Sequence, residues 1–281
     1  ADRHLREHHG EPYENGTFIV DHPLSRQMGA KPLKPEKSFH HSAGLAFQPN
    51  KGFQFTCDFY YTRIYDRIIF SGNFTADNAP AFAPLFEEYK VGGARFFTNC
   101  VNTITQGVDV SVKYNLSLGK KTNMKLYSGF NYNKTRMDGD LNVTDGLVAY
   151  QDILFDRFEK ARLTKSIPDF KWIIGGEILY RKISWSIHGM YHSPIGVVYS
   201  VSKPETDQEI SVGMIFDTRI SYRINERMDF SFGARNLLNK YPEKSHFIDG
   251  DAFTGKIFPY NPFVPYGFAG GEYFFNLHYL F

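Results

Sequence analysis

Long apolar runs are missing from this sequence. Within its 281 residues, no stretch approaches the roughly 20 consecutive apolar residues that a transmembrane helix needs. The mean hydropathy is −0.38. These observations exclude a helical membrane protein. They leave a transmembrane β-barrel open, because each strand of a barrel meets lipid with only one face and its average hydropathy stays mild.

Cysteines and charge clusters are also scarce. Cys57 and Cys100 are the two cysteines, and they lack the spacing of a zinc site or a redox pair, so we expect free thiols. The 32 basic and 30 acidic residues are scattered, which gives no indication of nucleic-acid binding. The first nine residues contain no apolar signal core. We therefore expect that a leader was removed or that the chain begins partway through a longer polypeptide.

Catalytic motifs are absent as well. The sequence has no G-x-S-x-G, no G-x-x-x-x-G-K-[ST] and no H-E-x-x-H motif, so we expect no enzyme activity and no cofactor. Its ten histidines raise a haem or metal hypothesis. His188 and His192 lie four residues apart, on one face of a predicted strand, where a hydrated lining is the simpler explanation. We predict no metal site.

The sequence is rich in aromatic residues, and its apolar and polar residues alternate with a period of two. Aromatic residues make up 17% of the chain, and such residues favour strands. Between 212 and 224, apolar and polar residues alternate, which predicts a strand with one face for lipid and one for water. One face carries Val212, Met214, Phe216, Ile220, Tyr222 and Ile224 together with Thr218, and the other carries Gly213, Asp217, Arg219, Ser221 and Arg223 together with Ile215.

The same alternation predicts nine strands in all. Its segments cover 39–49, 52–70, 108–117, 122–136, 169–182, 184–192, 212–224, 228–235 and 274–281. The predicted links are alternately short, at 49–52, 119–122, 181–184 and 225–227, and long, at about 71–104, 137–168, 201–209 and 242–273. A soluble β-sandwich also alternates along its strands, but short periplasmic turns with long extracellular loops are typical of an outer-membrane barrel.

The last predicted strand indicates which ends of the nine strands face the periplasm. Phe275, Leu277, Tyr279 and Phe281 share a face, as expected for a closing strand whose final ring sits in the periplasmic aromatic girdle. Residues 1–38 would then form an extracellular loop region, and residues 39–281 would form the barrel portion. A short helix is also expected within 79–89, in the first long loop.

Four motifs carry a resemblance to a known family. They are Leu-Lys-Pro-Glu-Lys-Ser at 33–38, Thr-Gln-Gly-Val-Asp at 105–109, Ala-Arg-Asn-Leu-Leu-Asn-Lys-Tyr at 234–241, and Tyr-Gly-Phe with a later Gly-Gly and Tyr at 266–273. In this order they resemble the C-terminal part of the β-barrel of TonB-dependent outer-membrane receptors. Each motif alone is weak, but together they span most of the chain.

The resemblance implies an all-β fold: a transmembrane antiparallel β-barrel of about 22 strands closed by an N-terminal plug. This chain would supply about nine C-terminal strands, and another chain or missing segment would complete the barrel, because hydrocarbon does not tolerate unpaired sheet edges. The implied location is the bacterial outer membrane. The implied partners are that companion segment, the TonB complex through a TonB box on the plug, outer-membrane lipid and lipopolysaccharide, and a surface lipoprotein.

The implied function is active uptake of a bulky, scarce nutrient, driven by the inner-membrane proton gradient through TonB. A ferric siderophore or haem is the first choice of ligand. A glycan or peptide importer of the SusC-like type is the second. A passive porin or an adhesin barrel is an alternative from a different class, because neither needs a plug.

Candidate ligand contacts fall into two groups. The first would line the lumen and consists of His188, His192, Asp217, Arg219 and Arg235. The second consists of loop aromatics, which mark binding surfaces more often than chance: Phe96, Phe97, Phe258, Tyr260, Tyr266 and Phe268. The alternative for this second group is an aromatic girdle or packing of loop on loop.

Overall fold

Nine long strands in one antiparallel sheet dominate the fold. The computed structural model describes residues 6–8, 11–246, 259–262 and 264–281. Each of the nine strands pairs with the next along the chain, which confirms the predicted number and order. The strands are β1 (Lys37–Phe47), β2 (Phe53–Phe70), β3 (Gly93–Ser117), β4 (Thr122–Met137), β5 (Phe170–Tyr180), β6 (Ile183–His192), β7 (Ile215–Arg223), β8 (Met228–Arg235) and β9 (Glu272–Tyr279).

The links alternate between the two ends of the sheet, as predicted. Short links occupy 48–52, 118–121, 181–182 and 224–227, and long links occupy 71–92, 138–169, 193–214 and 236–271. The third long link is longer than expected at both ends. At its far end Gly213 has φ +74°, a left-handed conformation that interrupts an extended strand, and β7 accordingly begins at Ile215 rather than Val212.

Strand β3 extends well beyond its predicted start. It is 25 residues long, and its N-terminal part pairs in parallel with Asn15–Phe18 and antiparallel with Phe74–Thr75. The expectation that Phe96 and Phe97 lie in the first long loop is therefore wrong. The alternation is weak there because buried residues lie on both faces of the strand, with Ala94 and Phe96 on one face and Val101 on the other.

Short helices and turns occupy the long links and the N-terminal segment. The helices are α1 (Pro23–Gln27), α2 (Ala83–Glu88), α3 (Gln151–Leu154) and α4 (Arg157–Thr164), with 3-10 turns at Pro80–Phe82, Asp145–Tyr150 and Pro204–Thr206. The helix expected within 79–89 is confirmed. Two small hairpins pair Arg6–His8 with Glu11–Tyr13 and Ile195–Val197 with Gln208–Ile210. Among the described residues, no helix is long and apolar enough to cross a membrane.

The main buried core lies at the end of the sheet where the long links are. We call it the loop-end core, and its buried members are Leu24, Met28, Ile69, Phe74, Ala79, Phe86, Ala94, Phe96, Cys100, Val101, Leu147, Leu154 and Phe155. The N-terminal segment, the 71–92 link, the 138–169 link and the ends of β2 and β3 all contribute to it. In contrast, Phe216 and Phe230 are half-buried, and Tyr279 is exposed. Those three apolar strand positions thus do not lie in a dry interior.

The sheet is open in the part of the chain that the structure describes. Strands β1 and β9 each have a neighbour on one side only. An antiparallel wall with two free edges matches the expected portion of a larger barrel.

Candidate functional site

The strand register divides the wall into an apolar face and a polar face. Because side chains alternate along a strand, cross-strand partners share a face, and the pairings can be followed from β1 to β9. The apolar face includes Leu45, Phe59, Val110, Phe130, Trp172, Trp185, Ile220, Phe232 and Phe275. The polar face includes Ser42, Thr56, Asp109, Asn131, Lys171, His188, Arg219, Ser231 and Asn276.

Basic and acidic side chains meet in two neighbouring rows of the polar face. In one row, the His188 Nε2 lies 3.3 Å from the Asp217 Oδ2 on the next strand. In the adjacent row, the Lys125 Nζ lies 3.6 Å from the Glu177 Oε2, and Arg219 follows across β6 and β7. We call these five residues the central polar patch. It offers a polar ligand both cationic and anionic groups side by side.

A glycine makes room in this patch. Gly175 stands opposite both Tyr127 and His188, and a Cβ on it would lie 2.5 Å from the Tyr127 hydroxyl oxygen. The absence of a side chain therefore allows the Tyr127 ring to lie flat across the neighbouring strand.

Asp217 also anchors the loop end of β8. Its Oδ1 accepts a hydrogen bond of 2.7 Å from the Asn236 backbone N–H. The preceding residue, Arg235, pairs with Glu272 of β9 at 3.1 Å, and its guanidinium lies 5.6 Å from the ring centroid of Phe274. The predicted lumen residues His188, Asp217, Arg219 and Arg235 thus do share one face.

His192 differs from the other predicted lumen residues. It is on the same strand face as His188, but it is only 7% exposed. Its ring centroid lies 5.6 Å from that of Tyr266, so the last long link covers it.

Of the loop aromatics, Phe96 is the clearest correction. It is 1% exposed and its ring stacks parallel to Phe74 at 5.9 Å, so its side chain is not accessible to a ligand in this conformation. Phe97 is half-buried and lies 4.0 Å from Phe70, ring centroid to ring centroid.

The remaining aromatics lie in the last long link, where they pack on other loop residues. The Tyr266 hydroxyl donates a 3.0 Å hydrogen bond to the Ile210 carbonyl, and burial raises the pKa of Tyr266 to about 12, with Glu243 adding to the shift. Tyr260 stacks between Tyr241 at 5.7 Å and Phe268 at 6.2 Å. Phe258 lies outside the described residues.

Sequence reasoning missed the partners of the predicted residues. Lys125, Glu177 and Glu272 were not nominated, although alternation within 122–136 and 169–182 places the first two on the polar face. The alternation does not give the register between the strands, which places these two residues beside each other. Within the described residues, no three His, Cys, Asp or Glu side chains are grouped closely enough to hold a metal ion.

An antiparallel wall with one apolar face, one polar face and alternating short and long links defines the class of transmembrane β-barrels. The family model described as "TonB dependent receptor-like, beta-barrel" matches residues 11–237. The chain therefore belongs to the TonB-dependent receptor family, whose members are transporters rather than enzymes.

Two solved structures have similar folds. One is a mutant of the ferric enterobactin receptor PfeA from Pseudomonas aeruginosa, with a TM-score of 0.53 and 12% identity over 88% of this chain and 31% of that one. The other is the FrpB iron transporter from Neisseria meningitidis, with a TM-score of 0.53 and 12% identity over 88% of this chain and 32% of that one. The chain thus spans about a third of each relative. No curated protein sequence matched it.

Proposed function

We propose that this chain is part of the barrel of a bacterial outer-membrane transporter that takes up a ferric siderophore or haem, energised through TonB. The observation that carries the proposal is the continuous two-faced wall in a chain of the TonB-dependent receptor family. Iron stands first among the ligand classes because the two similar structures are named as a ferric enterobactin receptor and an iron transporter.

The arrangement of the chain in the membrane is part of the proposal. The polar face lines the lumen, and the long links together with residues 1–38 form the extracellular side, while residues 39–281 supply the wall. Another chain or segment carries the remaining strands and the plug, and that plug contacts TonB. The open edges at β1 and β9 support this arrangement, because a membrane-embedded sheet must be closed.

The central polar patch and the neighbouring Arg235 are the proposed ligand-guiding groups. Arg219 and Arg235 are exposed, and cationic side chains on a lumen wall attract anionic ferric chelates. His188 and Asp217 pair with each other within the patch. Of the predicted aromatics, those that are half-buried rather than buried are Phe97, Tyr260, Tyr266 and Phe268.

Growth of a deletion strain tests the proposal. Removing the gene for the complete protein is expected to abolish growth on one ferric siderophore or on haem under iron limitation, and to leave growth on glycans and peptides unchanged. Uptake should also vanish when the gene for TonB is deleted. A growth defect on glycans or peptides would instead favour the SusC-like importer, and uptake that is independent of TonB would favour a passive porin.

The complemented strain gives a residue-level test. Arg219→Gln should lower the initial uptake rate about tenfold at limiting ligand, because a hydrogen bond to a charged group contributes about 1.5–3 kcal/mol. Lys120→Gln, in the short link between β3 and β4, removes the same charge from outside the paired strands and should leave uptake unchanged. Equal rates for the two variants would remove Arg219 from the ligand path.

A further inference from the structure

The charged residues of the apolar face all have the same sign. Across the regularly paired parts of the nine strands, before the irregularity that follows Ile64 and Tyr65 in β2, this face carries no Asp or Glu among the residues that the structure describes. Its charged side chains are Lys37, Arg63, Lys134 and Arg136. We call these four residues the basic rim. The polar face, in contrast, mixes the two signs.

The basic rim is confined to one corner of the wall. All four residues lie on β1, β2 and β4, in the half of each strand that is nearer to the long links. Arg63 stands opposite Ile104, which in turn stands opposite Arg136. Four adjacent strands span about 15 Å, which is the width of a disaccharide headgroup rather than of a single ion.

Polarity falls steeply from this rim toward the middle of the wall. Rows on one face are about 7 Å apart, since they are two residues apart along each strand. Lys37 and Tyr65 form the outermost row, and the row below them contains Phe39, Arg63, Ile104 and Arg136. The next row contains His41, Tyr61, Gln106 and Lys134, and the one after it contains Ala43, Phe59, Val108 and Tyr132. Basic, amphipathic and apolar rows in this order match the headgroup, interface and hydrocarbon levels of a lipid leaflet.

Neighbouring acidic groups neutralise only part of the rim. Arg63 pairs with Asp138, and Lys134 pairs with Asp169. Both carboxylates come from the 138–169 link and not from the face itself. Lys37 and Arg136 are exposed and form no ion pair within the described part of the chain. The rim therefore keeps a surplus of two positive charges.

We propose that the basic rim binds the phosphorylated headgroup of a lipid of the outer leaflet, of the lipid A type, with its acyl chains along the apolar rows below. This inference rests on the proposed location in the outer membrane with the long links outside. A zwitterionic headgroup would favour neither basic nor acidic side chains. A phosphate, in contrast, can accept paired hydrogen bonds from Arg136 and is attracted by the positive charge of Lys37.

Binding to defined lipids tests the inference. The complete receptor is reconstituted into phosphatidylcholine nanodiscs and titrated with bisphosphorylated lipid A or with the same lipid A after enzymatic dephosphorylation, and the bound lipid is counted by native mass spectrometry. Bisphosphorylated lipid A should bind at least tenfold more tightly than the dephosphorylated form, since each basic side chain contributes roughly a fivefold preference.

Substitutions then locate the site. Lys37→Gln combined with Arg136→Gln should weaken binding of bisphosphorylated lipid A about 25-fold. The matched control is Lys120→Gln combined with Lys121→Gln, which removes two exposed positive charges from a short link at the opposite end and should change binding less than about twofold.

Equal binding of the two lipid A forms by the unmodified receptor overturns the inference, and so does equal weakening by the two double variants. The same preparations are tested for outer-membrane fractionation and for uptake of the ferric ligand by cells. A receptor that fractionates and transports normally but ignores the phosphates contradicts the basic rim alone. A protein that is absent from the outer membrane contradicts the proposed function.

Discussion

Asn236 and Lys240 are joined by two hydrogen bonds through a single side chain. The Asn236 Oδ1 accepts from the Lys240 backbone N–H at 2.8 Å, and the Asn236 Nδ2 donates to the Lys240 carbonyl at 2.7 Å. Asn236 has φ +47°, a left-handed conformation that Asn adopts more readily than most residues. A second asparagine, Asn239, accepts from the Gly271 N–H at 2.8 Å. The motifs at 234–241 and 266–273 are thus in contact and together shape the turn after β8.

Replacing Asn236 should destabilise the barrel. Asn236→Ala removes both side-chain hydrogen bonds and leaves alanine in a left-handed conformation, so we expect a loss of about 2 kcal/mol in the free energy of unfolding. Urea unfolding of the complete receptor, followed by tryptophan fluorescence, measures it. Lys240→Ala keeps the same backbone groups and should change the midpoint little. Similar midpoints for the two variants would refute a structural role for the asparagine.

The two faces of β3 should respond in opposite ways to a new charge. Val110 lies on the apolar face, and an arginine there should destabilise the folded receptor in lipid by about 2–4 kcal/mol. Ser111 is the next residue and points into a concavity of about 240 Å³ on the polar face, lined also by Thr56 and Gly129. Ser111→Arg should cost far less. Refolding yields in liposomes compare the two, and a reversed order would mean that the faces are wrongly assigned.

The loop-end core should depend on its stacked phenylalanines. Phe96→Ala opens a cavity beside Phe74 and should destabilise this core by about 3–5 kcal/mol, without unfolding the wall, which has its own hydrogen-bonded ladder. Limited proteolysis should then cut the 138–169 link faster, while the unboiled band on a denaturing gel keeps its position.

Phe158→Ala is the control for that prediction. Phe158 is on α4 in the same link but is 39% exposed, so its loss should alter cleavage little. Equal cleavage of the two variants would show that the link is held by something other than the buried core.

The 138–169 link should also be more stable at mildly acidic pH. Burial is the largest cause that raises the pKa of Glu159 above 4.5, against the opposing pull of Arg162, and burial likewise raises the pKa of Asp156. A carboxyl whose pKa is higher in the folded than in the unfolded state favours folding most when protonated. That stabilisation is present below the unfolded-state pKa and is lost as the pH rises through the folded-state pKa.

Hydrogen exchange measures this pH dependence. Protection factors of the α4 amides should fall as the pH is raised from the usual carboxyl range toward neutrality. Glu159→Gln stays neutral and should flatten the profile, whereas Glu205→Gln, in an exposed turn of another link, should leave it as it is. A profile that rises with pH would contradict the burial argument.

The faces of the strands followed from the period of two alone, because lipid and water select opposite residue types. The alternation of Val108, Val110 and Val112 with Asp109 and Ser111 lies as predicted. The ends of the strands were harder to predict from the sequence. β3 begins at Gly93 because segments distant in sequence pair with its N-terminal part, and nothing in its local pattern encodes those partners.

The candidate site was predicted as a face but not as a set of contacts. His188 and Asp217 are neighbours because of the register between β6 and β7. These strands are joined by a link of more than twenty residues, so the alternation within each strand does not specify that register. Phe96 and Tyr266, both of which were predicted to lie in loops, illustrate a second limit. An aromatic residue in a loop suits a ligand and a loop core equally well, and the choice depends on partners such as Phe74 and Ile210.

Strand β3 continues from the wall into the loop-end core without a break. With 25 residues at about 3.3 Å each, it is roughly 80 Å long, against a hydrocarbon thickness of about 30 Å. The hydrogen-bonded strand that belongs to the wall therefore also supports the loop-end core. A molecule that binds to the loop-end core would contact residues that are already ordered, so the protein would lose little conformational entropy on binding.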